Sequence, residues 1–157
     1  MLNDLLGAVW RRVPNKLKRL TMRASNAQFS VSAGAIITNS EGKVLLLKHR
    51  FRPSPGWGVP GGFIKQGEQP EAGLRRELRE EVELELEDIK LFFTRTFKRP
   101  SQVEIIFTAR TTGDTDRLSY EIQKAAWFLP DELPDELPAD QARLIKRAFA
   151  DGVAAKG

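Results

Sequence analysis

Residues 75–84 read RRELREEVEL, with four glutamates in ten positions. Glu77, Glu80 and Glu81 fall three and four residues apart, a spacing that gathers them along one side of a helix. Like charges four apart on a helix cost about 0.2–0.5 kcal/mol per pair, so the cluster needs a reason. With about 100° of rotation per residue and Glu77 set at zero, Glu80 lies at about 300° and Glu81 at about 40°. Leu74, Leu78 and Val82 fall at roughly 60°, 100° and 140° and form the stripe that faces a core. The carboxylates flank that stripe, where side chains are partly shielded from water. Two readings stay open on these residues. One is a solvated, charge-rich face with Arg76–Glu80 and Arg79–Glu83 pairs, and the other is a divalent cation held by carboxylate oxygens.

Upstream, Pro70 suits the first turn of this helix and Glu71 the positive end of its dipole. The helix is expected to end near Val82 or Glu83. Before it, GGFIKQGE (61–68) sets Gly61, Gly62 and Gly67 ahead of Glu68. A glycine-rich loop entering an acidic helix can bring backbone groups close to a metal-bound phosphate. FRPSPGWGVPGGF (51–63), with three prolines and four glycines, reads as a loop of unusual backbone angles. FSVSAGAIIT (29–38) and KVLLLKHR (43–50) read as strands of a hairpin turned at NSEG. Downstream, IKLFFTRTFKR (89–99), QVEIIFTAR (102–110) and AAWFL (125–129) read as strands, with a polar loop at 110–121. DELPDELP (131–138) reads as a turn or short helical piece, and ADQARLIKRAFADG (139–152) as a closing helix. This mixture predicts an α/β fold, an α/β/α sandwich around a mixed sheet.

The 157 residues suffice for one domain with a sizeable core. There is no cysteine and a single histidine, His49, which excludes disulfides, thiolate metal sites and His-rich zinc sites and makes a Ser-His-Asp triad improbable. The chemistry left to the chain runs on carboxylates, basic side chains and backbone groups, a set that suits hard, oxygen-ligated cations. Residues 1–23 hold six Lys/Arg against one Asp, net +5, which leaves −1 of the chain's +4 for the rest. Leu2, Leu5, Leu6, Val9, Trp10 and Val13 recur there at helical spacing, so residues 1–28 are expected to form a basic amphipathic helical extension, bent or broken at Pro14. Its order of apolar run and basic residues is the reverse of a secretory signal, and no run approaches about 18 apolar residues. A cytoplasmic protein without a membrane span is expected.

Residues 62–84, GFIKQGEQPEAGLRRELREEVEL, resemble the Nudix box: glycine, five residues, glutamate, seven residues, then Arg-Glu-aliphatic-X-Glu-Glu. Gly62, Glu68, Arg76, Glu77, Leu78, Glu80, Glu81 and Leu84 fall on that pattern, and the flanks WGVPGG and AAWFLPDELP carry the likeness over residues 29–137. The Nudix-like domain is expected to occupy residues 29–157. One position departs: Glu83 stands where the family usually has glycine. Forcing a non-glycine residue into a left-handed conformation costs roughly 1–2 kcal/mol, so a reshaped helix exit is expected.

The resemblance implies a hydrolase that cleaves a diphosphate linkage in a nucleoside diphosphate derivative with Mg2+ or Mn2+. By the family pattern Glu77, Glu80 and Glu81 hold the metal, one of the last two also serving as base. Arg76 orients a neighbouring carboxylate, and Glu68 braces the loop or helps through water. The carbonyl of Gly61 or Gly62 is a further ligand candidate, Glu121 a later carboxylate of the set, and Glu104 a second candidate for that place. Arg50, Arg52 and Arg99, with Lys48, Arg95 and Lys98, are candidate phosphate contacts. Phe51 and Trp57 are candidate stacking partners for a base, and each also suits a packing role. His49 is set down as structural first and as a substrate contact second. Pro100 lies near where ADP-ribose-cleaving members tend to place a proline. Two alternatives are carried: a nucleotide-binding module without turnover, prompted by Glu83 and the basic extension, and a pyrophosphohydrolase of RNA 5′ ends guided by that extension. The extension has other uses open to it, as a packed accessory helix, a membrane-surface contact, a cover for the site or the seam of a homodimer.

Overall fold

Strand β1 (Ser30–Thr38) is buried on both faces. Its Ala33, Ala35 and Ile37 join one apolar cluster with Leu74, Leu78 and Val82 of helix α1 (Pro70–Val82). Ile36, on the other face, joins a second cluster with Ile145 and Ala148 of helix α2 (Ala139–Ala150). The computed structural model describes residues 10–18, 21, 26–51, 56–115 and 117–152 and has a helix on each face of one sheet, the expected α/β architecture. The stripe read from the helical spacing is the buried one: Leu74, Leu78 and Val82 have almost no accessible surface. Each such side chain contributes about 1.5–3 kcal/mol of transfer free energy.

Among the described residues the sheet has seven strands, completed by β2 (Val44–His49), β3 (Trp57–Gly58), β4 (Gly61–Phe63), β5 (Glu87–Phe97), β6 (Gln102–Arg110) and β7 (Ile122–Phe128). Its main order is β3-β2-β1-β6-β5, with β4 also on β1 and β7 also on β2. β1 and β6 run parallel from Ser30 opposite Gln102 to Thr38 opposite Arg110, while every other pairing is antiparallel. The expected turn at 39–42 forms, but the strands it joins share only the Thr38–Val44 pair. Beyond it β1 takes β4 as its neighbour and β2 takes β7 and β3. The segment 51–63, expected to be loop, thus contains two short strands. The 131–138 segment is turns, without a helix.

Residues 10–12 and 15–18 are helical on either side of Pro14, whose carbonyl accepts from the amides of Leu17 and Lys18 at 2.9 and 3.1 Å. Trp10 and Leu17 are about half exposed. Residues 1–9, 19–20 and 22–25 of the expected extension, Leu5, Leu6 and Val9 among them, lie outside the described residues. Among the described residues no helix is long and apolar enough to cross a membrane.

Candidate active site

Helix α1 begins at Pro70 with Glu71 in its first turn, as the sequence predicts, and ends at Val82. Glu83 then takes the left-handed conformation, with φ 54° and ψ 31°. The expectation of a reshaped exit is therefore corrected. The amides of Glu83 and Leu84 bond the carbonyls of Arg79 and Leu78, both at 3.2 Å. Leu84 and Leu86 are buried immediately afterwards, so core packing holds the turn that glycine would adopt without strain. The Glu83 carboxylate meets Arg117 at 3.0 Å instead of pairing with Arg79, which bonds Glu85.

Strand β4 brings its glycines against this helix. A β-carbon on Gly62 would fall 2.7 Å from both carboxylate oxygens of Glu77, so only glycine lets that carboxylate lie on the strand's backbone. Gly61, with φ 144°, abuts the backbone of Ala33 and Gly34 just as closely. Glu77, Glu81, Glu121, Gly61, Gly62 and His49 line one cavity of about 310 Å3, with Phe51 and Phe63 at its wall. Glu81 is buried, and one of its oxygens lies 3.7 Å from Nδ1 of His49, which is equally buried. Glu121 reaches the cavity because the loop before β7 is tied down. The Ser119 amide donates to the Glu81 carbonyl and the Arg50 amide to the Glu121 carbonyl, each at 2.8 Å.

Arg76 organises the carboxylates beside the cavity. Its Nε and Nη2 grip the two oxygens of Glu68 at 2.8 and 3.0 Å, and its Nη1 reaches Glu77 at 2.7 Å and Glu80 at 3.2 Å. Nη2 also donates to the Phe63 carbonyl of β4 at 3.2 Å, so one guanidinium joins strand, loop and helix. The Arg76 fork and the Lys65 amide hold the Glu68 carboxyl well below the usual range, at about 2. Glu68 foremost, and then Glu77, in turn raise the pKa of Arg76. Glu80 is mostly exposed and turns to Arg76, so it does not line the cavity with Glu77 and Glu81. Among the described residues no three acidic or histidine side chains close into a ready-made metal cage.

The NUDIX domain model matches residues 28–148, more than three quarters of the chain. The chain belongs to the Nudix family. Among its relatives is a MutT-like protein of Streptomyces ambofaciens, 28% identical over 69% of each chain. The NAD-capped RNA hydrolase NudC of Vibrio atlanticus is 30% identical over 66% of this chain but only 39% of its own length. The crystal structure of a NUDIX hydrolase from Nitrosomonas europaea superposes with a TM-score of 0.70 at 27% identity, covering 83% of this chain and 76% of that one. The family acts on pyrophosphates, and this chain is a Nudix-type hydrolase.

The remaining expected residues of the Nudix domain divide sharply. Glu104 does not line the cavity of Glu77, Glu81 and Glu121, although its own cavity shares Gly61, Gly62 and Phe63 with that one. It stands opposite Arg95 in the β5–β6 register, accepts from its Nε at 2.5 Å, and lines a second cavity of about 250 Å3 with Ser32, Gln102 and Gln141. Arg95 also bonds Asp140 at 2.6 Å, and Lys48 bonds Glu136 at 2.6 Å, so both cations already have carboxylate partners. Trp57 packs edge-on against Phe128, with centroids 5.0 Å apart, away from the acidic cavity. Lys98, Arg99 and Pro100 are exposed in the turn between β5 and β6. Arg50 lies against the loop at 120–121, and Arg52 lies outside the described residues. Tyr120, whose ring meets that of Phe51, was not singled out by the sequence; its place directly before Glu121 is the one signal it carries.

Proposed function

We propose that this Nudix hydrolase cleaves the diphosphate linkage of a nucleoside diphosphate derivative with the help of Mg2+ or Mn2+. The observation that carries the reading is the meeting of Glu77, Glu81 and Glu121 in one cavity beside the glycine backbone of β4. The donor set fits the ion, since carboxylate and carbonyl oxygens without sulfur suit a hard cation. Mg2+ commonly keeps waters and takes substrate phosphate oxygens, so a complete protein cage is not required of these residues. When bound, the cation offsets the charge of the diphosphate and eases deprotonation of the attacking water.

In this reading Glu77, Glu81 and Glu121 hold the ion, with the Gly62 carbonyl as an added oxygen. Glu80 or Glu81 takes the proton from water, and Glu81 is the one of the two that lines the cavity. Arg76 fixes the direction of Glu77, and Glu68 locks Arg76 while bracing the turn through the Lys65 amide at 2.9 Å. The similarity to a hydrolase of NAD-capped RNA favours a nucleotide at one end of the diphosphate.

A panel of nucleoside diphosphate derivatives assayed with Mg2+ tests the reading. Turnover of at least one is expected, and Glu81→Gln is expected to lower kcat about 100- to 10,000-fold while the melting temperature holds. Glu80→Gln, run beside it, decides which carboxylate is the base. Full turnover in both variants would remove the proposed site.

A further inference from the structure

Two exposed aromatic side chains meet at the rim of the acidic cavity. Phe51 is 63% exposed and Tyr120 76%, yet their ring centroids lie 5.5 Å apart at 46°. Neither is held by burial. Backbone and cation hold them instead: the Arg50 amide bonds the Glu121 carbonyl at 2.8 Å, and its Nε bonds the Tyr120 carbonyl at 3.1 Å. The Arg50 guanidinium then lies 5.3 Å from the centre of the Tyr120 ring. Because Ser119 is bonded to Glu81, the pair is indexed to the end of α1. Phe51 lines the same cavity as Glu77, Glu81 and Glu121.

Exposed rings kept at a fixed place beside a cation, with acids that suit a metal-bound phosphate next to them, match a ligand with a flat heteroaromatic ring near its phosphates. We infer that Phe51 and Tyr120 form a stacking platform for the nucleobase of the substrate, with Arg50 holding the platform to the loop that carries Glu121. The inference rests on the proposed diphosphate site and names the residues that hold the base of its nucleoside. Stacking accepts any base, since each has a π face. The platform therefore separates ring-bearing from ringless diphosphates rather than one base from another.

Tyr120 is the sole tyrosine of the chain, so its ring protons give an unambiguous NMR signal. The full chain, without divalent cation, is titrated with adenosine monophosphate and, separately, with ribose 5-phosphate, which lacks the ring. A saturable upfield shift of the Tyr120 ring protons is expected with the first and not the second, and Phe51→Ala is expected to weaken it. In steady-state assays Phe51→Ala and Tyr120→Ala are expected to raise KM about tenfold for a ring-bearing diphosphate, with kcat within about twofold. Phe51→Trp and Tyr120→Phe, which keep a ring, are expected to retain the KM. Wild-type KM in both alanine variants with no shift of Tyr120 overturns the platform even if hydrolysis stands. A shift of Tyr120 in a protein that turns over nothing supports the platform and overturns the hydrolytic reading alone.

Discussion

Arg76 sits among three carboxylates, and its strongest tie is to Glu68, not to the acids that face the cavity. The Glu68 carboxyl is depressed from 4.5 to about 2, first by that tie and then by the Lys65 amide. A depressed folded-state value means the contact stabilises above the unfolded pKa and is lost as pH falls through about 2. Arg76→Gln is accordingly expected to return the Glu68 carboxyl towards 4.5, followed by carboxyl carbon NMR. Gly62→Ala is expected to push the Glu77 carboxylate off β4, lowering the melting temperature and weakening Mn2+ binding measured by electron paramagnetic resonance. Spacing alone made the Glu77–Glu81 association legible, and the Arg76–Glu80 pair as well. It set Glu104 among the candidate carboxylates and missed its pairing, because Arg95 lies across a strand pair whose register no local pattern encodes. Tyr120 stayed hidden for a similar reason, since its partner Phe51 comes from another segment.

At the scale of elements, α1 was readable at both ends, in Pro70 and in the position of Glu83, but its exit geometry was not. Propensity argues against a left-handed glutamate, and the burial of Leu84 and Leu86 overrides it. Glu83→Gly is expected to stabilise the protein by about 1 kcal/mol in urea unfolding, since it removes the left-handed strain. The Arg117 pair it gives up is exposed and contributes little. Strands β3 and β4 were illegible because two or three residues among prolines and glycines display no period. Only β1 and β2, by offering their edges, make strands of them.

For the whole molecule, the two apolar clusters on opposite faces of β1 follow from strand alternation and helix periodicity together. Leu78→Ala is expected to cost about 2–5 kcal/mol, read by denaturant unfolding, because the site on α1 stands on that packing. The net +5 of residues 1–23 belongs to a different question, that of long anionic substrates. Removing those residues is expected to leave KM for small nucleotides unchanged. If RNA binds, its salt-dependent affinity is expected to fall with the deletion, measured by fluorescence anisotropy at two salt concentrations. The parallel register of β1 and β6 has a temporal side. Ser30 waits for Gln102, 72 residues further along, before it has its lateral partner. A nascent polypeptide that has cleared the ribosome only as far as α1 bears every acid of that helix but no completed scaffold under them. Such a fragment leaves greasy strand edges bare, as prey for chaperones and proteases, and hydrolytic competence arrives late in synthesis.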